Sequence, residues 1–509
     1  MTVPLKSAAG KWVMVSTILA SAMAFIDATA LNVVLPSLQK SLNASGADLF
    51  WILNAYLLML ASLILIGGAM GDKLGRRKIF MAGIFIFIIG SAACGFANSV
   101  LLLVAFRIMQ GIGGALMIPG SLSLISSSIN PAQRGKAIGT WSAFTTVVTM
   151  GGPILGGALA DAGLWRYIFF INIPFGIAAL AMLWLKVKEN RDDDADRSLD
   201  YPGAIAIAFG LAFVTFGFLR IPAVGLYHWQ VYGSLVLGIL LLIVFIVIER
   251  KSKHPMMPLQ LFANATFSGA NLLTFFLYAG LGAGMLFQSL NMVQVQGYSQ
   301  LQSGLTFLPF TVLMITLARF AGGLADKHGP RLLLIIGPAT AGAGLLILSF
   351  IKQTHGPADY WTTFFPGVLV LGLGMSFTVA PLTTAVMTSV SDHFSGTASG
   401  INNAMTRISG VFANAIFGAL AVLFFAGALQ QEIKPLKLDA KETQTILKQA
   451  SNLGNADVPK ATSAQHKAEI EKAFHNGFIN AYGKIMKISA GLGFLGALMA
   501  FLFIRKKGH

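Results

Sequence analysis

Apolar runs of roughly twenty residues recur about fourteen times along this chain, each ended by charges, glycine, proline or a polar cluster. Inside a bilayer no water satisfies free backbone N–H and C=O groups, so runs of that length must be helices. They begin near residues 12, 48, 79, 101, 136, 167, 202, 230, 266, 303, 332, 362, 396 and 483. Composition agrees, with 55% of residues hydrophobic, 11% charged and a mean hydropathy of +0.72. The expected fold class is an all-α membrane protein with 14 transmembrane helices.

Lys and Arg fall mainly in alternate connections, including Lys73, Arg76, Arg77, Lys78, Arg134, Lys136, Lys186, Lys188, Arg250, Lys251, Lys253, Lys327, Arg331 and the Arg505-Lys506-Lys507 tail. The other connections carry Lys40, Arg166, Arg220 and Lys352. This bias puts both termini in the cytoplasm, with the first span as insertion signal. A net charge of +16 then reflects loops facing an anionic leaflet, and no nucleic-acid partner is expected. The single cysteine, Cys94, excludes an internal disulfide. All eight His lie in loops, span ends or the tail, so no intramembrane metal site is expected.

Within this apolar setting Asp27 needs a reason, because a lone Asp near a helix centre costs about 2.5 to 3.5 kcal/mol. Such a residue faces a cavity or a partner. One reading makes it a proton carrier; the other makes it half of a structural ion pair. At 1.5 Å per residue, Asp27 lies about 22 Å above the inner end of the first span and Arg107 about 9 Å below the outer end of the fourth. Those depths coincide in a core about 30 Å thick, so the two side chains are expected to meet.

An internal repeat follows the second and tenth spans. Gly68-Ala69-Met70-Gly71-Asp72-Lys73-Leu74-Gly75-Arg76-Arg77 is matched by Gly322-Gly323-Leu324-Ala325-Asp326-Lys327-His328-Gly329-Pro330-Arg331. We read Gly68, Asp72, Gly75, Arg76, Asp326 and Arg331 as a cytoplasmic latch, its glycines permitting tight turns and its acids meeting helix ends or arginines. This loop resembles the signature of the major facilitator superfamily. Arg107-Ile108-Met109-Gln110-Gly111-Ile112-Gly113-Gly114 is similar to the family's fourth-helix motif, and Gly152-Pro153-Ile154-Leu155-Gly156-Gly157 to its antiporter motif. Asp27 with Asn32 and Pro36, Trp165–Pro174, Asp200-Tyr201-Pro202-Gly203 and Gly297-Tyr298-Ser299 resemble the fourteen-span drug:proton antiporter branch.

The resemblance implies two six-helix bundles around a central cavity, with access alternating between faces. The long interval between the two Asp-Lys loops adds two helices between the bundles. The expected domains are 1–190, a linker and extra helices over 191–253, and 254–509 with an outer loop at about 428–477. Two helix-compatible stretches, 439–452 and 461–481, suggest either a short helical hairpin over the outer mouth or a disordered loop there. Gly152, Pro153, Gly156 and Gly157 allow close packing that would seal the halves on the outer side, or simply pack. Asn32, Tyr56, Asn271, Gln288, Asn291, Phe310, Met375, Phe377, Asn403 and Arg407 are cavity candidates, although any one of them also suits plain packing. Arg407 stands near midplane, about 16 Å from its inner end, and a cavity exposing both Asp27 and Arg407 suits neutral or zwitterionic amphiphiles better than strongly cationic drugs, unless Arg407 is tied to Asn402 or Asn403. Arg319 is close enough to its helix end to snorkel.

The leading expectation is a proton-coupled, multidrug-efflux antiporter in the bacterial cell membrane. It would act as a monomer on small amphipathic molecules, with protons as coupling ion and no other cofactor. The alternatives are an exporter of one endogenous lipid, siderophore or anionic metabolite, and a receptor that transports nothing. No phosphate loop, metal cluster or nucleophile with a paired base argues for an enzyme.

Overall fold

A computed structural model describes residues 2–189, 200–253, 255–391, 394–436, 438–459 and 464–505. The connector residues 190–199 and the Lys506-Lys507 tail, both read above as cytoplasmic, lie outside the described residues. The chain first forms α1 (Ala8–Leu42), α2 (Gly46–Leu74), α3 (Arg76–Phe96), α4 (Val100–Ser128), α5 (Pro131–Asp161), α6 (Tyr167–Phe170) and α7 (Asn172–Lys186). A hairpin of α8 (Tyr201–Val224) and α9 (Trp229–Lys251) follows. Then come α10 (Ala265–Gln294), α11 (Gln300–Leu305), α12 (Leu308–His328), α13 (Arg331–Leu348), α14 (Phe364–Thr388), α15 (Ser395–Ile433), α16 (Ala440–Lys448) and α17 (Ala464–Phe503).

Thirteen helical stretches are long and apolar enough to cross a membrane, and α5, 31 residues long with Val147–Asp161 as its apolar part, completes the expected fourteen. The sixth span is two helices, α6 and α7, and the tenth is α11 and α12 with Pro309 in the first turn of α12. Two helices start with the same reciprocal cap: Ser45 accepts from the Asp48 amide while Asp48 takes the Ser45 amide, and Ser299 and Gln302 repeat this.

Contacts between connections establish which helix ends share a face. Val3 pairs with Ile129, its N–H donating to Ser128 O at 2.8 Å, which ties the N-terminus to the α4–α5 turn. Glu189, just after α7, accepts from the Arg77 and Lys78 amides at 3.0 Å, joining it to the α2–α3 turn. Arg331, at the α12–α13 turn, donates to Phe501 O near the end of α17. These turns carry the basic residues, so one face of the molecule is the basic face.

The duplicated loops keep their geometry. Gly75 and Gly329, equivalent in the repeat, have φ of +112° and +83°, a region open to glycine. The repeat also reaches into the next helices. A Cβ on Gly90 of α3 would stand 2.8 Å from the Gln110 amide of α4, and one on its equivalent, Gly344 of α13, 2.5 Å from the Leu371 amide of α14. Close helix pairs α3–α4 and α13–α14 therefore rest on the same small residues.

The α8–α9 hairpin packs through α8 on α2 and α15. Leu240, Ile243, Val244 and Val247 of α9 are exposed, as lipid-facing side chains would be. On the face opposite the basic one, α5 lies against α11: a Cβ on Gly304 would sit 2.5 Å from Pro153 O, and one on Gly157 2.5 Å from Gln300 O.

The outer loop differs from expectation. The expected last span at 483 begins at Ala464, and the stretch 461–481 is no separate hairpin arm but largely the first turns of α17. Its alanines, lysines and glutamates are good helix formers, so the helix continues past the apolar run. The first stretch is helical as α16, and residues 449–455 bend back over α1 and α10. Gln39 of α1 donates to Asn452 O at 3.1 Å and accepts from Asn455 at 2.8 Å and Gln294 at 3.2 Å.

Replacing Gly304 by Val should lower thermal stability by about 1 to 3 kcal/mol, since the α5 carbonyl leaves no room. Gly282→Val is the control, because a Cβ there meets nothing within 4 Å. Unfolding of both variants in detergent, followed by tryptophan fluorescence, checks the difference.

Candidate functional site

Asp27 on α1 and Arg107 on α4 are both buried, at 0% and 1% exposure. Arg107 Nη1 donates to Asp27 Oδ2 at 2.5 Å. One turn further along α4, Gln110 Nε2 donates to Asp27 Oδ1 at 2.9 Å, and its Oε1 accepts from Arg107 Nη1 at 2.8 Å. The three side chains form a closed ring in which both carboxylate oxygens are bonded. Helical spacing places Gln110 on the Arg107 face, which is the signal that would have singled it out.

The rest of the guanidinium is also engaged. Arg107 Nε donates to Ile52 O at 3.4 Å, and its Cζ lies 4.4 Å from the Tyr56 ring centroid. Cys94 is buried, with Sγ 3.8 Å from Gln110 Oε1. A charge this deep needs this much compensation.

The Gly152–Gly157 segment of α5 touches both α1 beside Asp27 and the second half. A Cβ on Gly152 would collide with Thr29, and one on Gly156 would stand 2.7 Å from Ala30 O. Gly157 and Pro153 meet α11, as described above. Asp161, at the end of α5, accepts from the Gln300 and Leu301 amides at 2.9 and 3.0 Å, and Gln300 Nε2 donates to Ser37 of α1 at 2.6 Å. Sequence reasoning passed over Asp161, Gln300 and Gln39, because a polar residue at a span end looks like an ordinary boundary.

On the basic face, the side chains of Asp72 and Asp326 lie outside the described residues. At the α3 N-terminus the Arg77 and Lys78 amides donate to Glu189, whose head group would collide with any Cβ on Gly75. Arg77 Nη2 donates to Trp184 O at 3.2 Å, as Arg331 does to Phe501 O in the second half. Gly68 lies next to Pro119 of α4, and Arg76 is half-buried.

The cavity candidates are spread among several helices. Gln288 and Asn291 are buried on α10 with no side-chain partners among the described residues, and the Tyr56 hydroxyl is likewise unbonded. Asn32, Phe310 and Phe377 are half-buried and Met375 is buried. Asn403 is exposed and donates to Ser399 O of its own helix. Neither Asn402 nor Asn403 ties up Arg407 among the described residues: Asn402 donates to Asn271 and Thr274 across to α10. Arg407 is half-buried, within electrostatic reach of Tyr56 and Tyr278, and has no hydrogen bond or ion pair among the described residues. Tyr56 thus stands between the two arginines of the two halves. Arg319 is exposed, in keeping with a snorkelling side chain.

A family model described as Major Facilitator Superfamily matches residues 17–414. The tetracenomycin C resistance and export protein of Streptomyces glaucescens is 29% identical over 95% of this chain and 89% of its own length. The multidrug resistance protein Stp of Mycobacterium tuberculosis is 30% identical over 83% of this chain and 78% of its own. A solved structure of a bacterial homolog to the human lysosomal transporter Spinster shares the fold, with a TM-score of 0.67 at 19% identity over 99% of this chain and 100% of that one. Together with the fourteen helices and the duplicated glycine-aspartate turn, these likenesses place the chain: it is a multi-pass membrane transporter that belongs to the Major Facilitator Superfamily.

Proposed function

We propose that this transporter is a proton-coupled antiporter that exports small amphipathic molecules, including drugs, by alternating access. It resides in a bacterial cell membrane with its basic face and both termini in the cytoplasm, acts as a monomer, and uses protons as its coupling ion. The observation that carries this reading is the buried Asp27–Arg107–Gln110 ring, the only arrangement among the described residues in which a membrane-buried carboxylate pairs with a cation. The names of its relatives, a resistance and export protein and a multidrug resistance protein, support export of drugs.

The chemistry is a proton added to or taken from one carboxylate. Ionised, Asp27 holds Arg107 through charge and a hydrogen bond. Protonated, it loses the charge that draws the guanidinium in, and α1 and α4 lose their strongest tie. Because Thr29 and Ala30 of α1 pack on Gly152 and Gly156, that change reaches the α5–α11 contact that closes the opposite face. A proton moving inward supplies about 2.3 kcal/mol per 100 mV and about 1.4 kcal/mol per pH unit. At about 1.4 kcal/mol per factor of ten, the two together sustain a substrate gradient of a few hundredfold.

In proteoliposomes, Asp27→Asn should cut pH-gradient-driven dye export by at least about tenfold, in protein that still folds although the unpaired Arg107 lowers its unfolding temperature. Export that continues unchanged would remove Asp27 from the coupling. Arg107→Ala leaves a buried carboxylate unpaired and should destabilise by about 3 to 5 kcal/mol, and adding Asp27→Asn to it should restore much of that loss. A double variant no more stable than Arg107→Ala would mean that the two groups do not act as an ion pair.

The unpartnered Arg407 favours a second reading, export of one endogenous anionic amphiphile such as a lipid, siderophore or metabolite, with the guanidinium meeting its acidic group. In that case Arg407→Ala abolishes flux of an anionic substrate, and cationic dyes are not carried by the parent protein at all. If the parent carries cationic dyes and Arg407→Ala still carries them, the multidrug reading stands.

A further inference from the structure

Away from the central ring, two acidic side chains meet on the basic face of the α8–α9 hairpin. Asp200 caps the start of α8, and Glu249 lies in the last turn of α9. The packing that sets Gly217 against Val231 and Gly210 against Gly238 brings position 200 level with Glu249 at the same end of the hairpin. Both are buried, at 8% and 2% exposure, and the Asp200 carboxyl acts electrostatically on Glu249.

Their oxygens are satisfied unequally. Asp200 Oδ1 accepts from the Gly203 amide at 2.8 Å, and Glu249 Oε2 accepts from the Met257 amide at 2.9 Å. The remaining oxygen on each, Asp200 Oδ2 and Glu249 Oε1, is buried with no partner among the described residues. Two carboxylates left this way would be two buried acceptors of like charge, a costly arrangement. One proton turns the pair into a donor and an acceptor.

Among the described residues no cation acts on Glu249. Deeper along the hairpin, α2 and α15 pack on it through apolar side chains including Leu58, Ala61 and Val411. Arg250, Lys251 and Lys253 are exposed, and Asp200 is the one charged group among the described residues that acts on Glu249. His254 and the charged residues of 190–199 lie outside the described residues. A hard metal cation would need about six oxygen ligands, whereas two are free here and the nearest backbone groups are N–H donors.

We propose that Asp200 and Glu249 hold one proton between them, forming a second protonation site on the extra helix pair, separate from Asp27. The pair closes the hairpin at its basic end. Through the Met257 amide it also grips the segment leading into α10, and so into the second half. Loss of the proton transfers it to solvent water and leaves two adjacent carboxylates, with no other bond changed. The hairpin is then a brace between the halves whose grip depends on the pH at the basic face.

Infrared difference spectroscopy of the full-length protein, titrated in pH, tests this together with Glu249→Gln, Asp200→Asn and Asp27→Asn. Either amide substitution replaces the shared proton with an N–H donor, so the hydrogen bond and the fold persist. The expected result is a protonated-carboxyl C=O band at neutral pH that survives in Asp27→Asn and is lost in both Glu249→Gln and Asp200→Asn. The melting temperature of the parent should fall as the band titrates away at rising pH, with this dependence absent in the two amide variants. A parent protein without such a band at neutral pH, or with a band lost only in Asp27→Asn, overturns the proposal. So does a band displaced by added Ca²⁺ or Mg²⁺ with a gain in stability, which would make the site a metal site.

Discussion

A carboxylate in the middle of a bilayer has to be held by something, and here it is held by Arg107 and Gln110. Removing two charges from water costs several kcal/mol for each ion, and their attraction offsets this only when geometry is good and the remaining hydrogen-bonding sites are filled. In this protein several of them are filled: Gln110 takes the second Asp27 oxygen, Ile52 O takes the guanidinium Nε, and the Tyr56 ring covers its face. The close packing of α3 on α4 at Gly90, and of α1 on α5 at Gly152 and Gly156, sets the four helices where that ring can close.

The seal on the opposite face is built from a different kind of contact. Gln39, Ser37, Asp161, Gln294 and Gln300 join the halves there through neutral hydrogen bonds and a carboxylate on backbone amides. Near the aqueous boundary such bonds exchange with bonds to water at a net cost of only about 0.5 to 1.5 kcal/mol each. Such bonds can open and re-form, and beside them the halves also meet through apolar side chains, with the rings of Phe50 on α2 and Phe287 on α10 at 6.0 Å. The glycines of α5 and α11 add close contact without adding interdigitating side chains that would have to be unthreaded.

Duplication explains why both halves share their turns and close helix pairs, and the departures from it mark where the halves do different work. Gly75 and Gly329, Gly90 and Gly344, and Arg77 and Arg331 serve alike in the two copies. The charge buried at midplane is unlike in the two. The first half carries a compensated acid, the second an arginine with no bonded partner among the described residues, and Tyr56 lies between them.

Much of this was legible in the order of residues. Span number and most span starts followed from the length of apolar runs, because a bilayer leaves the backbone no alternative to a helix. The meeting of Asp27 with Arg107 followed from helical rise, which converts sequence distance into depth. Depth, however, says nothing of direction around a helix axis or of neighbours supplied by distant segments. Gln110 closing the ring, Glu189 reaching the α3 amides from beyond α7, Gln39 gathering α10 and residues 452–455, and the pairing of Asp200 with Glu249 were all decided by tertiary packing. So was the early start of α17, where helix-forming polar residues carry the helix beyond its apolar run. The sequence determined which groups must be buried and how deep; only the fold decided which of them face one another, because that depends on the rotation and register of helices brought together by small residues.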